Sequence, residues 1–366
     1  MRALYIGSTA GNSGKSMITM GLGLRLKEQG RKVGYLKPVG RSPVALQGRL
    51  IDGDAEFMKQ VLALDEPLDE VCPVVVTHDL VARGLRGEAP DLLPTIRGAF
   101  HRTAQGKDVV MVGGAGSLTE GMFLGVAGLR VVKALNLPVL LIDPYLNEVC
   151  VDCILAAREA LGDRLLGVVL NRVTPASLAE VAGAVVPFLE RRGIPVLGTI
   201  PHDMLLDAIT VRQLHGVLGG RVLCAEERLD EFVERFSVGA MDVEAALSYF
   251  WKQPNKAVIT GGHRSDILMA ALETSTRCLV LTGGQTPNDL ILSRAVERGV
   301  PILVVPYDTL TTVEKLEGVL GRIRIREERK VARARQLIDA HLDYAALQGR
   351  WEAFATGRAG GSVPAT

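Results

Sequence analysis

Short apolar runs alternate with longer amphipathic segments over the first part of this chain. Apolar runs of four or five residues are typical of strands buried on both faces, and they occur at residues 3–6, 33–36, 109–112, 139–142, 166–170 and 196–200. The segments between them predict helices at residues 17–27, 54–64, 91–104, 124–135, 151–161 and 176–192. This alternation predicts an α/β fold with a doubly wound, mainly parallel sheet.

The pattern changes after Pro201, where polar and apolar residues become mixed. Further along, two predicted strands each end in Thr-Gly-Gly and are each followed by a predicted helix, which is an approximate internal repeat. A strongly charged helical segment begins at Ile323, and glycine, alanine, serine and proline dominate the last residues. We therefore expect a first domain at residues 1–205, a smaller α/β domain at 206–322, and a charged helical tail at 323–366 with a disordered end.

A glycine-rich loop separates the first predicted strand from the first predicted helix. Its sequence from residue 7 to residue 16 is GSTAGNSGKS, and a Gly-Lys-Ser that opens a helix after a strand is typical of a phosphate-binding loop. Backbone N–H groups and the helix N-terminus attract phosphate there. The candidate binding residues are Gly11, Asn12, Ser13, Gly14, Lys15 and Ser16. We expect Lys15 to reach the outer phosphates and Ser16 to ligate Mg²⁺, the alternative being a simple turn before a core helix.

Further candidate residues are Lys37 and Asn171, which are placed where the carboxyl ends of the predicted strands converge, and an acidic pair before a predicted helix. Lys37 follows the second strand and is a candidate for stabilising a transferred phosphoryl group or a carboxylate, or else is a solvated lysine. Asp52 and Asp54 form an Asp-x-Asp before a predicted helix, and either is a candidate to complete the Mg²⁺ shell that Ser16 begins. Asp52 or Asp54 also suits the N-cap of that helix, and the two roles are compatible. Asn171 ends a later strand and is a candidate for an adenine contact, or else a turn residue.

The two Thr-Gly-Gly turns of the second domain are candidates for an anion-binding notch, because turns of this kind present backbone N–H groups at the start of helices. The residues are Thr260, Gly261, Gly262, Arg264, Thr282, Gly283 and Gly284. Each turn alone is only a tight turn. We expect a small anionic ligand or a protein partner at this place.

Composition removes several classes of function. A net charge of +1 gives no electrostatic reason to expect nucleic acid or an anionic membrane as a partner. No apolar run approaches the ~20 residues that span a bilayer, and the N-terminal residues are predicted to form strand and loop instead of a signal peptide. Five scattered cysteines indicate reduced thiols and a cytoplasmic protein. Cys150 and Cys153 form a CxxC, which we interpret as the packing face of a helix.

These residues also resemble known families. Positions 1–200 resemble dethiobiotin synthetase and the related cobyrinate amidating enzymes through the phosphate loop, Lys37-Pro38, Asp54, residues 114–116, Asn171 and residues 198–201. Residues of about 205–322 resemble the DRTGG module, through segments that include residues 201–203, 210–212, 238–241, 259–266 and 281–284. The order of the two parts is similar to the N-terminal, non-catalytic part of long phosphate acetyltransferases.

The resemblance implies roles for single residues. Lys15 and Lys37 would handle phosphates, Ser16 and Asp54 would hold Mg²⁺, and Asn171 would face the base. The chain also departs from the pattern, because dethiobiotin synthetases carry a metal-binding Glu where this chain has Gly113.

A second departure lies in the phosphate loop, where the family's acidic residue corresponds to Ala10. Glu120, in the loop after residues 114–116, is an alternative source of the missing carboxylate.

Three functions follow as hypotheses. The first is a nucleotide-binding regulatory protein that takes ATP with Mg²⁺ and senses a ligand or partner through its second domain. The second is an ATP-dependent ligase that phosphorylates a carboxylate before an amine attacks it. The third is a scaffold that nucleotide merely stabilises. The resemblance to the synthetases implies a homodimer.

Overall fold

A computed structural model of the chain describes residues 1–46, 48–317 and 327–357. The chain forms two compact units. The first contains Met1–His202 together with the described C-terminal residues 327–357, and the second begins at Asp203. Where the sequence analysis assigned residues 323–366 to a tail of their own, the described part of that segment belongs to the first unit.

The first unit is built on a six-stranded sheet in which every pairing is parallel. Its strands, with one hairpin (β3 and β4), are β1 (Arg2–Gly7), β2 (Val33–Leu36), β3 (Pro43–Leu46), β4 (Arg49–Asp52), β5 (Val109–Gly113), β6 (Val139–Pro144), β7 (Leu165–Val173) and β8 (Val196–Pro201). The order in the sheet is β2-β5-β1-β6-β7-β8. Strands β2, β5 and β6 are buried at every position, as expected for a sheet covered on both faces. The predicted fold class is confirmed.

Helices connect these strands and cover the sheet. They are α1 (Lys15–Glu28), α2 (Gly53–Val61), α3 (Leu68–Val71), α4 (His78–Leu85), α5 (Leu93–Ala104), α6 (Gly128–Ala134), α7 (Val149–Leu161), α8 (Leu178–Glu180) and α9 (Val186–Arg191). The side chain of Asp52 caps α2 by accepting hydrogen bonds from the N–H groups of Asp54 and Ala55, and this cap fixes where the helix begins. Because the strands are parallel, the carboxyl ends of β1, β2, β5, β6 and β7 lie at one edge of the sheet.

The second unit contains a five-stranded sheet with the order β10-β15-β14-β13-β12, in which the edge strand β10 is antiparallel. Its elements are α10 (Met204–Asp207), β9 (Ile209–Thr210), α11 (Val211–Leu218), β10 (Arg221–Val222), β11 (Phe232–Val233), β12 (Arg235–Val238), α12 (Val243–Trp251), β13 (Lys256–Gly261), α13 (Ser265–Leu272), β14 (Thr276–Thr282), α14 (Asp289–Arg298), β15 (Ile302–Val304) and α15 (Thr309–Glu317). The repeat seen in the sequence forms the adjacent parallel strands β13 and β14 with their helices.

Two C-terminal helices, α16 (Glu328–His341) and α17 (Tyr344–Ala355), complete the first unit. Helix α16 packs against α1, and the N–H of Asp343 donates to the carbonyl of Leu197 in β8. The indole Nε1 of Trp351 donates to the carbonyl of Ala3 in β1 at 2.9 Å. Residues 323–326 and 358–366 of the predicted tail, including most of its predicted disordered end, lie outside the described residues.

Candidate functional site

The glycine-rich loop lies between the carboxyl end of β1 and the first residue of α1, as the sequence predicts. Gly14 precedes the helix with φ of 91°, a left-handed conformation that glycine adopts without strain. A Cβ on Gly14 would lie only 2.1 Å from Nδ2 of Asn171. Glycine is therefore required at this position both by backbone conformation and by space.

Several backbone N–H groups of the loop point to no acceptor within the described part of the chain. Thr9 N donates to Asp143 and Ala10 N donates to the Ser8 hydroxyl, but the N–H groups of residues 11–14 make no hydrogen bond there. The first N–H groups of α1 also lack helical partners, as at every helix start. Unpartnered N–H groups at a helix N-terminus form an anion-binding arrangement.

Lys15 lies over this loop and is 9% exposed. Its Nζ donates to the carbonyl oxygens of Gly116 at 2.6 Å and Ala10 at 3.4 Å and to the hydroxyl of Ser13 at 3.2 Å. Burial lowers the pKa of Lys15 to about 8, although the nearby carboxylate of Asp143 acts in the opposite direction. An ammonium held only by neutral acceptors can exchange them for phosphate oxygens.

Lys37 is buried and forms two ion pairs. Its Nζ lies 2.8 Å from Oδ1 of Asp52 and 2.7 Å from Oδ2 of Asp54. Burial alone would lower the pKa of Lys37, but the two carboxylates outweigh it and the pKa is raised. Lys37 and Asp54 are thus brought together, and Lys37, which follows β2, is a buried lysine paired with two carboxylates and not a solvated one.

Asn171 lies beneath the phosphate loop. Its Nδ2 donates to the carbonyl of Ser13 at 2.8 Å, and the side chain is 4% exposed. Asn171 therefore supports the loop, and its amide oxygen is left for the adenine contact, which stays a prediction.

Gly113 ends β5, where the synthetase pattern has a glutamate. A Cβ at this position would lie 2.6 Å from the hydroxyl of Tyr35, which is buried on the neighbouring strand β2. Tyr35 therefore occupies the space that a longer side chain would need. Glu120, in the following loop, forms an ion pair with Arg41 at 3.0 Å and is one of the carboxylates that act on Lys15.

Ser16 and Asp54 are the two residues near the loop that the sequence predicts as ligands of Mg²⁺. Ser16 is exposed in the first turn of α1, and Asp54 is the predicted carboxylate partner. Within residues 1–46, 48–317 and 327–357, no group of three or more His, Cys, Asp or Glu side chains is arranged to hold a metal ion. Mg²⁺ in nucleotide sites is typically bound by one or two carboxylates together with phosphates and waters, and Ser16 and Asp54 as its ligands stay a prediction.

The two Thr-Gly-Gly turns of the second unit lie side by side, because Gly261 of β13 is paired with Thr282 of β14. The N–H groups of Gly283 and Gly284 already donate to carbonyls, at 2.7 Å to Tyr307 and 2.8 Å to Val305.

The side chains of these turns are also engaged. Thr260 donates to the carbonyl of Gly239, Thr282 contacts the hydroxyl of Thr309, and Arg264 is paired with Asp266 and bonded to the carbonyl of Met241. Gly262 packs closely against Gln285. The predicted anion-binding residues are brought together, but most of their polar groups hold the turns in shape.

Asp143 is a polar residue of the site that the sequence analysis missed. It lies near the carboxyl end of β6 and is 1% exposed, and its Oδ1 accepts hydrogen bonds from the loop residues Ser8 and Thr9. The sequence feature that could have identified Asp143 is a single carboxylate directly after the apolar run at residues 139–142.

A parallel sheet with its phosphate loop between the first strand and the first helix defines the class of P-loop NTPase folds. The model of an AAA domain family, AAA_26, matches residues 2–210, and that of the DRTGG domain matches residues 213–319. The chain belongs to this AAA domain family and carries a DRTGG domain after it. Both parts of the resemblance seen in the sequence are confirmed.

Curated relatives bear names in line with this assignment. The chain is 24% identical to a phosphate acetyltransferase of Synechocystis over 93% of its own length and 50% of that protein. It is 26% identical to a phosphate acetyltransferase of Pseudomonas putida, over 96% of this chain and 52% of that protein. It is 28% identical to the ATP-dependent dethiobiotin synthetase BioD of Aromatoleum aromaticum, over 55% of this chain and 91% of that protein. The chain spans about half the length of the phosphate acetyltransferases that it matches.

Solved structures superpose only in part. The CBS and DRTGG domains of the regulatory region of Clostridium perfringens pyrophosphatase, complexed with diadenosine tetraphosphate, give a TM-score of 0.28 at 16% identity, over 42% of this chain and 72% of that one. The cell division protein FtsY of Thermotoga maritima gives a TM-score of 0.37 at 17% identity, over 55% of this chain and 61% of that one.

Among the described residues, every helix is too short or too polar to cross a bilayer.

Proposed function

We propose that the first unit binds ATP together with Mg²⁺ and that the protein has a regulatory role, exerted through its DRTGG domain. The observation that supports nucleotide binding is the phosphate loop, whose N–H groups at residues 11–14 have no acceptor within the described residues and whose Lys15 ammonium contacts neutral acceptors. A polyphosphate supplies hydrogen-bond acceptors for these N–H groups and negative charge for the Lys15 ammonium, because its oxygens are charged acceptors.

In this proposal Ser16 and Asp54 would hold Mg²⁺, which would neutralise part of the charge of the bound phosphates. Lys37 keeps Asp54 in place through the ion pair at 2.7 Å and adds positive charge near the outer phosphates. Asn171 supports the loop from beneath and faces the base with its amide oxygen. These assignments follow from placement and charge, and they agree with the roles implied by the synthetase resemblance.

A regulatory role is favoured over turnover by the end of β5. Gly113 supplies no carboxylate, and Tyr35 fills the adjacent space. The match to the relatives named phosphate acetyltransferase includes both the P-loop domain and the DRTGG domain of this chain and covers about half of the length of those relatives. We propose that the second unit senses a small anionic ligand or a protein partner and that the protein is a cytoplasmic homodimer, the five free cysteines being consistent with a reducing compartment.

The second candidate function is an ATP-dependent ligase. It is favoured by one observation, the similarity to a dethiobiotin synthetase over 91% of that protein's length. A ligase would release ADP steadily when a small carboxylate and an amine are present, and Lys37→Ala would abolish the release. A regulatory protein would bind ATP without this turnover.

The test of nucleotide binding is a thermal unfolding series on the full chain with ATP and Mg²⁺. Saturation at about 100 times Kd stabilises a folded protein by roughly 2.7 kcal/mol, so the transition should rise by several degrees. Lys15→Met should remove the rise, whereas Lys133→Met, which changes an exposed lysine of α6, should keep it. Absence of any rise in the unmodified protein, at every Mg²⁺ concentration, would contradict nucleotide binding, and a rise retained in Lys15→Met would leave only a nonspecific scaffold effect.

A further inference from the structure

Asp143 is a buried carboxylate beside the phosphate loop. It lies near the end of β6, which borders β1 on the side opposite to β5 and Gly113. Its Oδ1 accepts three hydrogen bonds from the first turn of the loop, from Thr9 N at 2.8 Å, the Ser8 hydroxyl at 3.0 Å and the Thr9 hydroxyl at 3.1 Å. The carboxylate therefore fixes the place where the chain leaves β1.

The second oxygen, Oδ2, has no hydrogen-bond partner among the described residues although the side chain is 1% exposed. An unpartnered buried carboxylate oxygen costs free energy. Burial consequently raises the pKa of Asp143 despite the hydrogen bonds to Oδ1. An uncompensated group of this kind at a candidate ligand site calls for a functional explanation.

Lys15 and Asp143 contact the same turn of the loop. The Ser8 hydroxyl lies 3.0 Å from Oδ1 of Asp143 and 2.5 Å from the carbonyl oxygen of Ala10, and that carbonyl accepts a hydrogen bond from Nζ of Lys15 at 3.4 Å. The Asp143 carboxylate accordingly opposes the lowering of the pKa of Lys15 by burial. The interaction is through space, because Lys15 Nζ gives its hydrogen bonds to the loop and to Gly116. The thiol of Cys150, on α7, is a further titratable group that interacts with Asp143, since burial and then the Asp143 carboxylate raise the pKa of this thiol.

We propose that Asp143 is a positioning residue of the nucleotide site, whose charge keeps the Lys15 ammonium over the phosphate loop while its Oδ1 fixes the first turn. This inference rests on the proposed nucleotide binding and adds a residue to it. A direct ion pair, like that of Lys37, would have to break before Lys15 reached a phosphate. Because Asp143 attracts Lys15 without a hydrogen bond, no ion pair has to break, and phosphate oxygens need to displace only the neutral acceptors of Lys15.

The charge of Asp143 can be separated from its hydrogen bonds. Asp143→Asn keeps an acceptor oxygen for Thr9 and Ser8 and removes the negative charge. A purely structural carboxylate would be replaced by the amide with little effect on ligand affinity. Asp152→Asn, at an exposed position of α7, makes the same change of net charge away from the loop and is the matched control.

The first measurement is the affinity for ATP with Mg²⁺ by calorimetry at constant pH and salt. Asp143→Asn should bind about tenfold more weakly than Asp152→Asn, because the attraction that keeps the Lys15 ammonium over the loop is lost, and a tenfold change corresponds to about 1.4 kcal/mol. Asp143→Glu retains the charge and should recover part of the affinity. Equal affinity of Asp143→Asn and Asp152→Asn would overturn the proposal.

The second measurement needs no nucleotide and so separates this proposal from the proposed function. Unfolding midpoints of the unmodified protein, Asp143→Asn, Lys15→Met and the double variant form a thermodynamic cycle. Asp143→Asn should lower the midpoint less when residue 15 is Met, because the buried ammonium is then no longer left without its counter-charge. Strictly additive effects would overturn the proposal even if ATP binds. A non-additive cycle in a protein that binds no ATP would support the attraction between Asp143 and Lys15 and would contradict the nucleotide site that this attraction is proposed to serve.

Discussion

Lys15, Lys37 and Lys256 are buried lysines whose surroundings differ. Lys37 has two carboxylate partners, which raise its pKa against the effect of burial. Lys15 and Lys256 have hydroxyl and carbonyl acceptors in hydrogen-bond contact, and burial lowers the pKa of each to about 8. The charge that a buried lysine offers to a ligand is therefore set by its neighbours and not by residue type.

The pKa of Lys256 predicts a pH dependence of stability in the second unit. Its ordinary value of 10.5 applies to the unfolded chain, so between about pH 8 and 10.5 the unfolded state binds more protons and stability rises with pH. The thermal midpoint of the unmodified protein should therefore rise relative to that of Lys256→Met as the pH increases over this range. Lys252→Met, at an exposed position, should show no such gain. A difference that stays constant from pH 7 to 10 would contradict the prediction.

Gly113 offers a test of why the synthetase carboxylate is absent. Gly113→Glu would place Cβ 2.6 Å from the Tyr35 hydroxyl, and overpacking of this kind costs about 1–3 kcal/mol. Chemical denaturation should show that loss, and Tyr35→Phe should restore part of it in the double variant. Gly183→Glu, at an exposed position with no atom within 4 Å of a new Cβ, is the control. An unchanged stability of Gly113→Glu would mean that space does not exclude the carboxylate.

At the scale of elements, the C-terminal helices are an integral part of the first unit. Gly21 of α1 allows the close approach of Ile338 on α16, since a Cβ there would lie 2.3 Å from the Cδ1 atom of Ile338. Arg25 of α1 pairs with Asp339 at 2.7 Å. Because α1 starts at the phosphate loop, the chain that returns after the second unit packs on the helix that carries the candidate site.

The two tryptophans allow this contact to be tested. Trp351 on α17 is 5% exposed and bonded to Ala3, whereas Trp251 on α12 is 66% exposed. Trp351→Ala should lower the free energy of unfolding by about 3–5 kcal/mol, as for other buried tryptophans. Trp251→Ala should change it by less than about 1 kcal/mol. Denaturant unfolding followed by circular dichroism measures both, and similar losses in the two variants would contradict the packing of α17.

At the scale of the whole molecule, the two tryptophans also report the two units separately. Single-tryptophan variants that keep Trp351 or Trp251 can be melted with and without ATP and Mg²⁺. If nucleotide and the second unit are coupled, as the regulatory proposal requires, both transitions should rise, because linkage is reciprocal. A rise confined to the Trp351 transition would contradict the regulatory part and leave nucleotide binding in place.

Local pattern determined most of the architecture of this protein. Buried parallel strands give continuous apolar runs and a phosphate loop requires its glycines and lysine in sequence, so the sheet, the loop with Lys15, and the DRTGG part were predictable from single segments. The position of the C-terminal helices was not predictable from the sequence, because a charged amphipathic helix carries no signal for the surface that it covers.

Tertiary structure alone decided how the site is assembled. Lys37 and Asp54 are 17 positions apart and Asp143 is 134 positions from Thr9, and only the tertiary fold brings each pair into contact. Tyr35 beside Gly113 is likewise a contact between neighbouring strands. The sequence determines which groups are available, whereas their charge, partners and free space depend on burial and on pairing across the sheet, which no local pattern encodes.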